Sequence, residues 1–115
     1  MSRDYKVFLQ DVLEAIDNVA EFVGPMTWDQ FQADKKTLHA VVRNLEVIGE
    51  AVKQVPAETR HRHPQIPWQR IAGLRDILIH NYFGIDLEIV WDIVRNKLPE
   101  LKRQIDAVLC EEEST

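Results

Sequence analysis

Between Asp4 and Val23 the apolar residues Phe8, Leu9, Val12, Leu13, Ile16, Val19, Ala20 and Val23 recur at intervals of three and four. That spacing collects them on one side of an α-helix, with Gln10, Glu14, Asp17 and Glu21 on the other. Gly24 and Pro25 end this helix, the glycine supplying a left-handed turn and the proline blocking continuation. Thr27, followed three residues on by Gln30, has the form of a capping box and opens a short helical turn that carries Trp28 and Phe31. Asp34 is placed to cap a second long helix over about 35–55, with the buried stripe Leu38, Val41, Val42, Leu45, Ile48, Val52 and Val55, and Pro56 stops it. Gly49 inside that helix costs about 1 kcal/mol relative to alanine, so either a neighbouring helix packs very closely there or the position serves a partner.

Residues 56–67 read as a short helical turn and a loop. Pro67 suits the first turn of the next helix, whose apolar side is Ile71, Leu74 and Leu78 with Ile77 or Ile79. Gly84 breaks that helix and Asp86 caps the following one. From Leu87 to Leu109 runs a final helical stretch, kinked or divided at Pro99. Residues 111–115, beginning Glu111-Glu112-Glu113, form an acidic tail expected to fray. No alternating pattern predicts a strand, and there is no internal repeat. The pattern therefore predicts an all-α protein: a single domain over 1–110, built as an antiparallel bundle of four to five helices, followed by the tail.

Composition changes this picture little. At 115 residues with 45% apolar content, the chain is large enough to bury a core without cross-links. No uncharged apolar run approaches the length of a bilayer span, and residues 1–6 are not a secretory signal, so a cytoplasmic location is expected with no membrane contact. One cysteine, Cys110, cannot form an internal disulfide and reads as a small hydrophobe.

The net charge of −5 argues against a protein that grips nucleic acid over its whole surface. Distribution matters more. From Arg60 to His80 lie four arginines, three of the four histidines and one acid, Asp76, so polyanion contact should be local to that segment. His61 and His63 invite a metal hypothesis, but helical geometry turns them about 200° apart and no nearby cysteine or paired carboxylate completes a shell. No metal and no cofactor is expected; Arg60, Arg62 and Arg70 read instead as an ordinary solvated loop or as a basic rim for the backbone of a polyanion such as a nucleic acid. Arg43, Glu46, Glu50 and Lys53 alternate in sign at helical spacing, as a solvated face or as part of a site.

The segment Arg75-Asp76-Ile77-Leu78-Ile79-His80-Asn81-Tyr82 places a fixed cation, a titratable imidazole and a phenol within eight residues, directly after an apolar helical pattern. With Phe83-Gly84-Ile85-Asp86 it resembles the Arg-x4-His-x-Tyr signature of HEPN-domain ribonuclease toxins. The likeness is greatest to the HepT type, which is partnered with an MntA-type nucleotidyltransferase antitoxin. Arg43-Asn44-Leu45-Glu46-Val47-Ile48-Gly49-Glu50-Ala51 and Ile66-Pro67-Trp68 resemble further landmarks of that family in the same order, so the resemblance covers nearly the whole chain.

The resemblance implies a HEPN-like bundle and a metal-independent endoribonuclease, the toxin of a type VII-like toxin–antitoxin pair. Such chemistry divides naturally between the residue types present. His80, titrating near neutrality, suits general acid or base work, and Arg75 offers a permanently charged fork of donors to the scissile phosphate and its transition state. The RNA supplies its own 2′-hydroxyl nucleophile, leaving a 2′,3′-cyclic phosphate and a 5′-hydroxyl. On a straight helix His80 is rotated about 140° from Arg75. Either the helix loosens near His80 or two protomers bring their signatures together; the resemblance implies the second, a two-fold homodimer whose groove carries both sets. Asp76 and Asn81 are expected to orient side chains there. Tyr82 is implied to be the residue that the antitoxin modifies with AMP, and the plain reading is a half-buried tyrosine closing the helix. An alternative of another class is a non-catalytic helical module that binds and regulates a partner nucleotidyltransferase.

Overall fold

In a computed structural model that describes residues 4–79 and 86–113, the chain is all-α, with no strand among the described residues. Helix α1 (Tyr5–Val23) starts where the Asp4 carboxylate accepts from the Lys6 amide, and ends at Gly24 with φ of 50°. In α2 (Trp28–Gln32) the predicted capping box is present on both sides: Thr27 Oγ1 accepts from the Gln30 amide and Gln30 Oε1 accepts from the Thr27 amide. Asp34 caps α3 (Lys35–Lys53) through the Thr37 amide at 3.0 Å. These local signals act as expected because each needs only residues three or four apart.

Helices α1 and α3 form the main pair. Leu9, Val12, Ile16 and Val19 of α1 and Val41, Leu45, Ile48 and Val52 of α3 are almost wholly buried in one hydrophobic cluster, and Asn18 donates across the pair to Asn44 at 3.3 Å. The α2 turn wedges Phe31 into the core, where its ring centroid lies 5.0 Å from that of Trp91. After α4 (Ala57–Arg62), α5 (Trp68–Ala72) and α6 (Leu74–Ile79) occupy the stretch that the sequence presents as one helix. The break falls at Gly73, whose amide turns back to Gln69 O.

Gly49 receives a direct explanation. A Cβ built there would stand 3.2 Å from the Ile71 carbonyl oxygen and 3.7 Å from Leu74 Cβ. Helix α3 thus lies backbone against backbone with the α5–α6 turn, the close packing that an unbranched position permits.

The final run, capped by Asp86 through the Glu88 and Ile89 amides, comprises α7 (Leu87–Asp92), a π-helical turn (Ile93–Lys97) and α8 (Leu98–Glu113). Pro99 lacks an N–H and its ring would press on the carbonyl four residues back in an α-helix. The wider turn, in which the Leu98 amide reaches Ile93 O, takes up that misfit without a kink-forming break. It also keeps Val90, Val94 and Leu98, spaced by four, in the core before Leu101 and Ile105 continue at helical spacing. Where the composition predicts a frayed tail, α8 instead runs to Glu113 and buries Glu112 at 8% exposure. Cys110 is a free cysteine and exposed. No helix among the described residues is long and apolar enough to cross a membrane.

Candidate functional site

Helix α6 is fixed from below by its own sequence. Leu74 and Leu78, four apart, are 7% and 2% exposed, while Arg75 and Asp76 between them face solvent. The helix that precedes it is fixed just as firmly: Trp68 and Ile66 are buried, and the Trp68 indole N–H donates to His63 O at 2.9 Å. Gly49 supports the same turn from the α3 side. The first two segments that carry the likeness therefore serve as the foundation of the helix that bears Arg75. Arg75 itself has no hydrogen-bond or ion-pair partner among the described residues, which leaves its guanidinium open to an external anion. His80, Asn81 and Tyr82 lie outside the described residues.

The three arginines expected to line an RNA path separate into different roles. Arg62 is committed to protein: its guanidinium binds Glu112 at 2.6 Å and 3.2 Å and reaches Glu58 at 3.3 Å, so two carboxylates offset its charge. Arg60 donates to Val55 O and Val52 O at the end of α3, acting as a C-terminal cap. Its partners are neutral carbonyls, so its charge is not cancelled. Arg70 is exposed and unpaired among the described residues.

A buried polar cluster around Glu112 is the feature that sequence reasoning missed. Its carboxylate accepts from Arg62, from the Tyr5 hydroxyl and from His63 Nε2 at 3.1 Å. These donors, with Arg62 first, hold the carboxyl down to about 2, and burial with the Glu112 contact pushes the Tyr5 phenol up. The cluster clamps the last turn of α8 to the start of α1 and to the loop that leads into α5. His63 is 2% exposed whereas His61 is exposed. Their roles differ accordingly: His63 belongs to the clamp and His61 to the surface. Nothing local marks Glu112, which pairs with residues 49, 50 and 107 positions away. Among the described residues no group of three or more His, Cys, Asp and Glu side chains is arranged to hold a metal ion.

On the surface, Arg43 and Glu50 of the charged α3 face line a groove against Phe8 and Asp11 of α1, and Glu50 pairs with Lys53 at 3.2 Å. A larger apolar groove, of about 400 Å³, runs along the other flank of α6, between it and the α7–α8 run. Ile71, Leu74, Ile77, Ile89 and Ile93 line it, with Arg70, Lys97 and Glu100 among its polar residues. Ile77 and Ile89 are 43% and 41% exposed, an uncommon cost for large aliphatic side chains.

Known proteins resemble the chain over most of its length. A Methanocaldococcus jannaschii protein named for RNase activity is 50% identical over 107 residues, covering 93% of this chain and 88% of its own length. A Thermococcus cleftensis protein named for ribonuclease HepT is 43% identical over 106 residues, covering 92% of this chain and 96% of its own length. No solved structure matches this chain. Residues 12–108, from the first helix through the signature into α8, match the model of the HepT-like ribonucleases, and the chain belongs to that family.

Proposed function

We propose that this protein is a metal-independent endoribonuclease acting as the toxin of a toxin–antitoxin pair. The observation that carries this reading is Arg75, a solvent-facing guanidinium without a partner among the described residues, on a short helix anchored by Leu74 and Leu78. Family membership and the RNase names of the relatives support it. Arg75 holds the scissile phosphate and stabilises the extra charge of the phosphorane. His80 moves the proton of the 2′-hydroxyl or of the leaving 5′-oxygen, and Asp76 and Asn81 orient the groups around them. The attacking oxygen comes from the RNA, so bond formation from 2′-O to phosphorus accompanies release of the 5′-oxygen and leaves a 2′,3′-cyclic phosphate.

Two copies complete the site. The apolar groove beside α6 supports this, since exposed Ile77 and Ile89 offer a surface to bury and Lys97 and Glu100 supply both signs of charge, as a self-complementary two-fold interface requires. The partner that silences the enzyme is an MntA-like nucleotidyltransferase that adds AMP to Tyr82, placing bulk and negative charge two residues from His80 and excluding substrate phosphate.

The test is cleavage, in excess EDTA, of an RNA and of the same RNA carrying one 2′-deoxy nucleotide 5′ to the cleaved bond. The intact RNA should yield a cyclic phosphate end and the deoxy-substituted bond should survive. Cleavage of the deoxy bond, or activity abolished by EDTA, overturns the mechanism. For regulation, co-expression with the nucleotidyltransferase should add AMP-sized increments to the intact mass that disappear in Tyr82→Phe.

A further inference from the structure

A second surface feature adjoins the apolar groove at Pro67 and Arg70. The turn from α4 into α5 encloses a hollow of about 590 Å³ whose lining includes Arg60, His61, Pro64, Trp68, Gln69 and Arg70. Two arginines and a histidine contribute to it and no carboxylate does, in a chain whose formal charge is −5. A concavity of one sign in a protein of the opposite sign is an anion site by electrostatics, because the low-dielectric walls focus the field.

Each of these basic side chains is open to a ligand. Arg70 and His61 are exposed and have no ion-pair partner among the described residues. Arg60 spends donors on Val55 O and Val52 O, yet those carbonyls leave its charge in place. The neighbouring Arg62 is the counter-example, turned to Glu112 and Glu58 and absent from the lining. Pro64 and Pro67 stiffen the wall, so little order is lost on binding. Trp68, at 6% exposure, presents too little ring for a base to stack on. The hollow therefore suits a phosphodiester and not a nucleobase.

We infer that this hollow is a backbone-binding subsite that holds an RNA phosphate flanking the cleaved bond, reading charge and not sequence. The inference rests on the ribonuclease reading for its substrate. Arg70, on α5, stands five residues before Arg75 on α6, so a strand gripped at Arg75 has a second anchor on the adjoining helix. The net negative charge elsewhere confines the strand to this path.

The experiment measures the affinity of a 2′-O-methyl oligoribonucleotide, which cannot be cleaved, across a salt series. Removing both exposed side chains in Arg70→Ala/His61→Ala should weaken binding about tenfold, equally for purine-rich and pyrimidine-rich sequences, and loss of the Arg70 charge should flatten the salt dependence by about one unit of slope. Arg103→Ala, an exposed arginine on α8 outside the hollow, should bind as the native protein does. Addition of the oligonucleotide should also shift the Trp68 indole N–H resonance. An affinity or slope for the double variant equal to that of Arg103→Ala, or an indole signal that does not move, overturns the subsite. Because the ligand resists cleavage, absence of ribonuclease activity would overturn the catalytic reading alone, and the subsite would still be decided by affinity. Arg60 is left in place because its removal would uncap α3.

Discussion

Glu112 shows how much one carboxylate can organise. It accepts from Tyr5 on α1, Arg62 on α4 and His63 in the loop before α5, so the last turn of α8 ties together three segments far apart in sequence. Its carboxyl is held at about 2 against an ordinary value of 4.5. A depressed carboxylate contributes stability that is present above the ordinary value and is lost as pH falls towards the folded value. Glu112→Gln should cost about 2 kcal/mol at pH 7 by weakening hydrogen bonds to a charged acceptor. The gap to the native protein should narrow between pH 4.5 and pH 2, as denaturant unfolding at several pH values would measure. A deficit that stays constant down to pH 2.5 would mean that the charge of Glu112 contributes nothing.

Helices α3, α5 and α6 carry the same lesson at the next scale. Gly49→Ala gains about 1 kcal/mol of helix propensity, but its methyl would stand 3.2 Å from the Ile71 carbonyl oxygen, a backbone atom that cannot swing away. The variant should therefore be destabilised, by about 1–2 kcal/mol, and thermal unfolding would register this as a lowered Tm; a raised Tm would show that α5 can retreat freely. The caps at Thr27, Asp34 and Asp86, the stop at Gly24 and the close approach at Gly49 were legible because each depends on neighbours in sequence or on the absence of a side chain. The division at Gly73 and the π-helical turn before Pro99 were not, since both are set by what the helix packs upon. The Glu112 clamp was invisible for a related reason: an acidic triplet at the end of a chain has the composition of a solvated tail, and only the folded bundle brings Arg62 and His63 to it. Within the candidate site, the exposure of Arg75 beside buried Leu74 and Leu78 follows from helical spacing, while the separation of Arg60 and Arg62 into cap and clamp, with Arg70 unpaired among the described residues, required their partners.

For the whole molecule, a helical bundle with a net charge of −5 concentrates positive charge around α4–α6 and leaves aliphatic surface beside it. The apolar groove and the basic hollow flank the same short α5 helix, one suited to a second copy and the other to RNA. Ile77→Glu places a charge in the groove without touching Arg75 and should shift the mass measured by light scattering from twice that of the chain to that of one chain, with cleavage falling alongside. A dimer that persists would remove the groove from the interface. The central claim, that Arg75 and His80 carry out phosphodiester cleavage without a metal, is tested most directly by single-turnover cleavage in excess EDTA of the native protein, Arg75→Ala and His80→Ala. Native protein should cleave, and each variant should be slower by about 10²- to 10⁴-fold while retaining its fold. Equal rates in all three proteins would contradict the account.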